Sequence, residues 1–343
     1  MNHGNDSCID SFEVRYLKRN PVLIGIFTSL GIVILILDSK TALVGMQNGI
    51  DLCIRTVIPS LFPFFFFCGL LNNSLIGHSF PFLAPICRIL EIPNGSAAIL
   101  VTAFLGGYPA GAKAVASAQR CGQLSIHTAN RMLTFCNNAG PAFLFGMVSG
   151  LFPNLSTAFI LWGIHIASAL MVALLQTGGT APNDIISEPP QKEPVSAMYS
   201  AVTVTAIVCG WVILFRMILE FMEKWFLRML PTLVQVIVYG FLELSNGCCM
   251  LDQISDPNLR FVICSAFLAW GGFCVALQTR SVTEGLSQSA YLKGKIMQTA
   301  FSLLLSASVC LGIWVPVGGL LLFLTLLMRK SQKSCGNPMP IGV

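Results

Sequence analysis

Apolar runs about as long as a bilayer is thick recur along this chain, separated by short polar intervals. A membrane span needs roughly 20 apolar residues. Runs of that kind fall at about 21–38, 56–76, 97–117, 132–152, 156–176, 198–221, 231–251, 259–279 and 296–328. Backbone amides and carbonyls cannot go unsatisfied in lipid, so such runs predict helices. The last run is long enough for two short passes, with a break predicted at Val315-Pro316-Val317-Gly318-Gly319.

Two runs are interrupted at mid-membrane depth. FLGGYPAGAKAVA spans Phe104–Ala116, and FCNNAGPAFLFGMV spans Phe135–Val148. Proline lacks an amide donor and clashes with the carbonyl four residues back. At Pro141 that frees the carbonyl of Asn137. Broken backbone in a bilayer is tolerated only where it faces protein or a water-filled cavity. Helices interrupted in this way point to the substrate site of a carrier. Both interruptions are therefore expected to meet in one cavity.

A polar stretch with four prolines, from Gln176 to Ala197, divides the chain. The organisation predicted is a cytoplasmic segment 1–20, a first membrane half 21–176, a linker 177–197, a second membrane half 198–328 and a tail 329–343. The halves resemble each other weakly. GFLELSNGCCML in the second parallels FLGGYPAGAKAVA, and FVICSAFLAWGGFCVALQ parallels the Asn137–Pro141 run, with Gly272 matching Gly140. The fold class expected is an all-α polytopic membrane protein of two weakly similar halves, built as inverted repeats with broken or re-entrant helices.

Composition agrees. Hydrophobic residues make up 55% of the chain, charged residues 10%, and mean hydropathy is +0.75. A soluble domain carries roughly 25% charged residues. The net charge of +5 is small and its basic residues are scattered, which argues against nucleic acid as a partner. Thirteen cysteines sit mostly inside apolar runs and form no C-x-x-C pair, so neither a disulfide framework nor a metal site is expected. Arg15, Lys18 and Arg19 precede the first run, and Arg329, Lys330 and Lys333 follow the last. Both ends are expected in the cytoplasm.

The candidate solute-binding residues are Gly106, Gly107, Tyr108 and Pro109 at the first break, and Asn137, Asn138, Gly140 and Pro141 at the second. In the second half they are Glu243, Asn246, Gly272 and Gln278. Asparagines can contact a polar solute or bond across helices. Glu243 stands deep in an apolar run, where an ionisable group is expensive and by default functional. It could bind a cation, carry a proton or accept hydrogen bonds from a solute. Lys113 reads as a snorkelling residue, Arg216 as the i, i+4 partner of Glu220, and His165 as a packing histidine. No nucleophile motif, phosphate loop or dinucleotide fingerprint is present, so no enzyme activity and no cofactor are expected.

Together IPSLFPFFFF, GGYPAGAKA, RMLTFCNNAGPAFLFG, GFLELSNG and WGGFCVALQ resemble the YlbJ-type sporulation integral membrane proteins, from about Leu43 to Leu327. That family is grouped with nucleoside-recognition, or Gate, domain proteins. The resemblance implies a multi-pass protein of the bacterial cytoplasmic membrane, needed in endospore formation and transporter-like. The chain departs from the family's pattern at Asn138-Ala139 and at Glu243-Leu244-Ser245. The function expected is movement of a small polar solute, nucleoside-like or another metabolite. The alternative is a non-transporting scaffold or channel subunit of a sporulation complex. Membrane lipid, the solute, a coupling cation or proton, and a second copy of the chain are the partners this reading allows.

Overall fold

The computed structural model describes residues 21–75, 78, 80–176 and 194–335. Among them there is no strand. The N-terminal segment, most of the linker and the end of the tail lie outside the described residues.

Helix α1, Pro21–Leu37, buries none of its side chains. Asp38 caps α2, Ser39–Leu52, by accepting from the Thr41 amide. A π-turn over Cys53–Val57 joins α2 to α3, Ile58–Leu75. The turn sits where Pro59 would clash with the carbonyl of residue 55, and its wider winding accommodates that ring. The span expected at about 56–76 is thus the second half of a longer helix. Its polar first half packs on α10, Pro194–Trp225, through two glycines. A Cβ on Gly45 would lie 2.7 Å from Met217 Cα, and one on Gly49 2.8 Å from Ile213 Cα. Small residues four apart let helix backbones touch, where dispersion replaces side-chain burial.

Four of the predicted runs are helix pairs rather than single helices. After the short α4, Ala84–Ile89, come α5, Ala97–Leu105, and α6, Ala110–Arg120. Then follow α7, Ile126–Leu133, and α8, Pro141–Gly146. Unbroken α9, Leu155–Leu175, closes the first half. Beyond α10 the pattern repeats with α11, Thr232–Leu242, and α12, Leu244–Met250. The last broken pair is α13, Pro257–Trp270, and α14, Gly272–Val282. Helix α15, Gln288–Cys310, crosses behind them, and α16, Trp314–Cys335, ends the described chain.

The final break falls at Leu311–Ile313, with Gly312 at φ +71°, and not at residues 315–319 as predicted. Pro316 lies in the first turn of α16, where a missing amide costs nothing because that amide has no helical partner.

Four helical stretches are long and apolar enough to cross a membrane among the described residues: Ser39–Leu75, Leu155–Leu175, Val195–Trp225 and Pro257–Val282. Large apolar side chains such as Phe27, Phe67, Val202 and Phe323 stand exposed on the outside. The molecule is an all-α membrane protein, and a set of polar residues, Asn137, Asn138, Glu243, Lys295 and Gln298 among them, is buried inside it.

Candidate functional site

Each of the four breaks is made by its own sequence. At the first, Gly107 takes φ +76° and its carbonyl accepts from the Ala110 amide at 2.8 Å, reversing the chain between α5 and α6. At the second, Thr134–Gly140 is unwound. There Asn138 Nδ2 donates to the Phe135 carbonyl at 2.7 Å, and the Ala139 amide donates to His165 Nε2 at 3.0 Å. At the third, Glu243 is extended and caps α12. Its Oε2 accepts from the Asn246 amide and from Asn246 Nδ2, both at 2.7 Å. A carboxylate at a helix N-terminus meets unpaired amides and the positive end of the helix dipole. At the fourth, Gly271 and Gly272 take φ of +80° and +86°.

The breaks touch one another. A Cβ on Gly140 would lie 2.9 Å from Gly107 Cα, so the first two breaks are in backbone contact. A Cβ on Gly272 would lie 3.0 Å from the Leu242 carbonyl oxygen, so the last two are as well. Tyr108 joins the halves, donating its hydroxyl to the Leu268 carbonyl at 2.9 Å.

These contacts enclose a cleft of about 430 Å³, its open mouth included. Its polar lining is Ser60, Tyr108, Glu243, Ser245 and Gln278; the first three breaks contribute to its wall directly, and α14 contributes Val275 and Gln278. Of the residues singled out from sequence, Tyr108, Gly140, Glu243 and Gln278 face this cleft. Asn246 stands behind Glu243 as its donor. Gly106, Gly107, Pro109, Pro141 and Gly272 shape the backbone around it.

Asn137 and Asn138 do not line that cleft. They turn to the other side of Tyr108, into a sealed network centred on Lys295 of α15. Lys295 is 1% exposed, and its Nζ donates to Tyr108 Oη and the Asn137 carbonyl at 2.8 Å and to Gln298 Oε1 at 2.7 Å. Gln298 Nε2 donates to Asn138 Oδ1 at 3.0 Å, and Asn137 Nδ2 donates to Thr279 Oγ1 at 2.8 Å. Gly294 lets α15 come this close, since a Cβ there would sit 2.1 Å from the Thr134 carbonyl oxygen.

Sequence reasoning missed Lys295 and Gln298: the last apolar run reads from about residue 296, which leaves Lys295 outside it. A signal was present: Lys295, Gln298, Ser302 and Ser306 recur every three or four residues, a polar stripe along one helix face.

Lys113 donates to the Ser200 carbonyl at 3.2 Å and to Ser200 Oγ, on the wall of a second, more polar cleft of about 700 Å³. Arg216 forms the expected pair with Glu220 at 2.9 Å and a second with Glu223 at 3.2 Å.

The chain is similar to the sporulation integral membrane protein YlbJ of Bacillus subtilis (strain 168), at 26% identity over 77% of this chain and 76% of that protein. That likeness supports the YlbJ-type resemblance carried by the motifs and does not extend to the nucleoside-recognition group. No family model matches the chain, and no solved structure matches it.

Proposed function

We propose that this chain is a multi-pass protein of the bacterial cytoplasmic membrane that serves endospore formation by carrying a small polar solute through the Glu243 cleft. One observation carries the reading: three of the four helix breaks line that single cleft, and the helix that follows the fourth adds Val275 and Gln278 to it. Broken helices at mid-membrane leave backbone groups and helix ends free to meet a solute, and carriers place their sites there. Tyr108, Glu243, Ser245 and Gln278 supply donors and acceptors, while Val57, Leu61, Phe143 and Val275 supply apolar walls. That mixture suits a compact metabolite with hydrogen-bonding edges, a nucleoside among them. The sporulation role rests on the likeness to YlbJ.

A second reading, a non-transporting scaffold or channel subunit, is favoured by a different observation. The Oε2 of Glu243 and the ammonium of Lys295 already have partners within the chain.

The deciding experiment pairs binding with function. Purified protein is heated in the presence of nucleosides, bases and small metabolites, since a bound solute raises stability by mass action. Glu243→Gln is then assayed for sporulation and solute uptake beside protein level in the same cells. A stabilising solute whose effect disappears in E243Q supports the carrier. A silent ligand panel together with normal sporulation in E243Q would leave the scaffold reading.

A further inference from the structure

The hydrogen-bond connectivity around Lys295 bears on its charge state. Asn138 must present its amide nitrogen to the Phe135 carbonyl, so its oxygen faces Gln298. Gln298 must therefore present nitrogen to Asn138, a choice that its second contact, to the His165 carbonyl at 3.4 Å, also requires. Its oxygen is left for Lys295. Amide orientations assigned this way follow from the network as a whole. Tyr108 has committed its hydroxyl hydrogen to the Leu268 carbonyl, so toward Lys295 it is an acceptor. The third partner, the Asn137 carbonyl, can only accept. With the Tyr108 hydroxyl donating to Leu268, the three oxygens at 2.7–2.8 Å match the three donors of the ammonium form.

This charge is buried without a counter-ion. Among the described residues Lys295 enters no ion pair, and its partners are neutral oxygens. The Asn137 carbonyl belongs to the unwound stretch that follows the C-terminal end of α7, where helix carbonyls carry partial negative charge. Asn137 Oδ1, also buried, has no hydrogen-bond partner. A ring of neutral oxygens at a half-helix C-terminus is the environment in which broken-helix carriers hold a monovalent coupling ion.

We infer that Lys295 is a tethered cation: its ammonium fills an oxygen-lined monovalent-cation site at the break between α7 and α8, and that site takes up free ammonium or potassium once the side chain is shortened. In the intact protein the site has no need of an external ion. The inference does not depend on which solute, if any, the Glu243 cleft binds.

The test compares purified wild type, Lys295→Ala and Lys295→Met by thermal unfolding in choline, sodium, potassium and ammonium chloride at equal ionic strength. K295A opens the site, whereas K295M fills it with an uncharged chain. K295A should unfold many degrees below wild type in choline chloride. It should regain several degrees, saturably, in ammonium or potassium chloride. Wild type and K295M should be indifferent to the cation. Equal unfolding of K295A in all four salts overturns the inference, as does a cation dependence in wild type or K295M of the same size. K295A is prepared in ammonium chloride throughout, and its failure to accumulate there while K295M accumulates also overturns it.

Discussion

The two faces of Tyr108 make a useful contrast. On one side Glu243 caps α12 and faces an open cleft; on the other Lys295 is enclosed by Tyr108, Asn137 and Gln298. Both are ionisable groups buried to 1% exposure at a helix break. The carboxylate meets the N-terminus of a half-helix and the ammonium lies at the C-terminal side of another. Each charge is thus matched to the end of the helix dipole it faces. The difference lies in access. Glu243 lines the open cleft, whereas Lys295 is enclosed and can lose its partners only if the helices move. A lost interaction at Lys295 should register as stability, and at Glu243 as function.

Lys295→Met sharpens this contrast most. It leaves three buried acceptors without donors, at roughly 1–3 kcal/mol each. The expected result is a large fall in Tm and in membrane abundance, read by thermal unfolding and immunoblot. A Tm close to that of wild type would mean the network stores little stability.

Gly294→Ala should come next. Its Cβ would overlap the Thr134 carbonyl oxygen at 2.1 Å, pushing α15 away from the second break. Overpacking of this kind costs about 1–3 kcal/mol. The same substitution at Gly163, which has nothing within 4 Å, is the matched control and should change Tm little.

Tyr108→Phe tests the partition itself. It keeps the ring but removes the hydroxyl that both accepts from Lys295 and donates to Leu268. A loss of about 1–2 kcal/mol in unfolding experiments is expected, together with weaker solute binding. Lost binding with unchanged stability would place Tyr108 with Glu243 alone.

The smallest effect is expected far from both sites. Asp38 accepts from Lys224 Nζ at 2.5 Å, and this contact holds its carboxyl below the usual carboxylate range. A depressed folded-state pKa stabilises above the unfolded value, and that stability is lost as pH falls through the folded one. The pair is exposed and screened by salt. Asp38→Asn should therefore leave Tm almost unchanged at neutral pH and only flatten its decline in acid.

Much of this architecture was legible in the sequence. Run length and composition announced membrane helices, because hydrocarbon admits no unsatisfied backbone. Gly106–Pro109, Asn137–Pro141 and Gly271-Gly272 announced breaks, because proline and paired glycines interrupt a helical hydrogen-bond ladder locally. Glu243 announced itself as a charge with no interface in reach. Position along the chain could not say what each break faces, since that depends on contacts between residues more than a hundred positions apart. Asn137 and Asn138 looked like cleft residues beside Gly140, but the unwound turn directs their side chains to Thr279 of α14 and Gln298 of α15 instead. Lys295 drew no notice in the sequence, and its burial depends on Gly294 bringing its helix against Thr134. The long polar start of α2 was invisible as membrane helix because its burial depends on α10, through Gly45 and Gly49. Local rules fixed where the chain bends and what it can bury. Packing alone decided which bend meets which charge, because a buried ion takes its meaning from the groups that surround it.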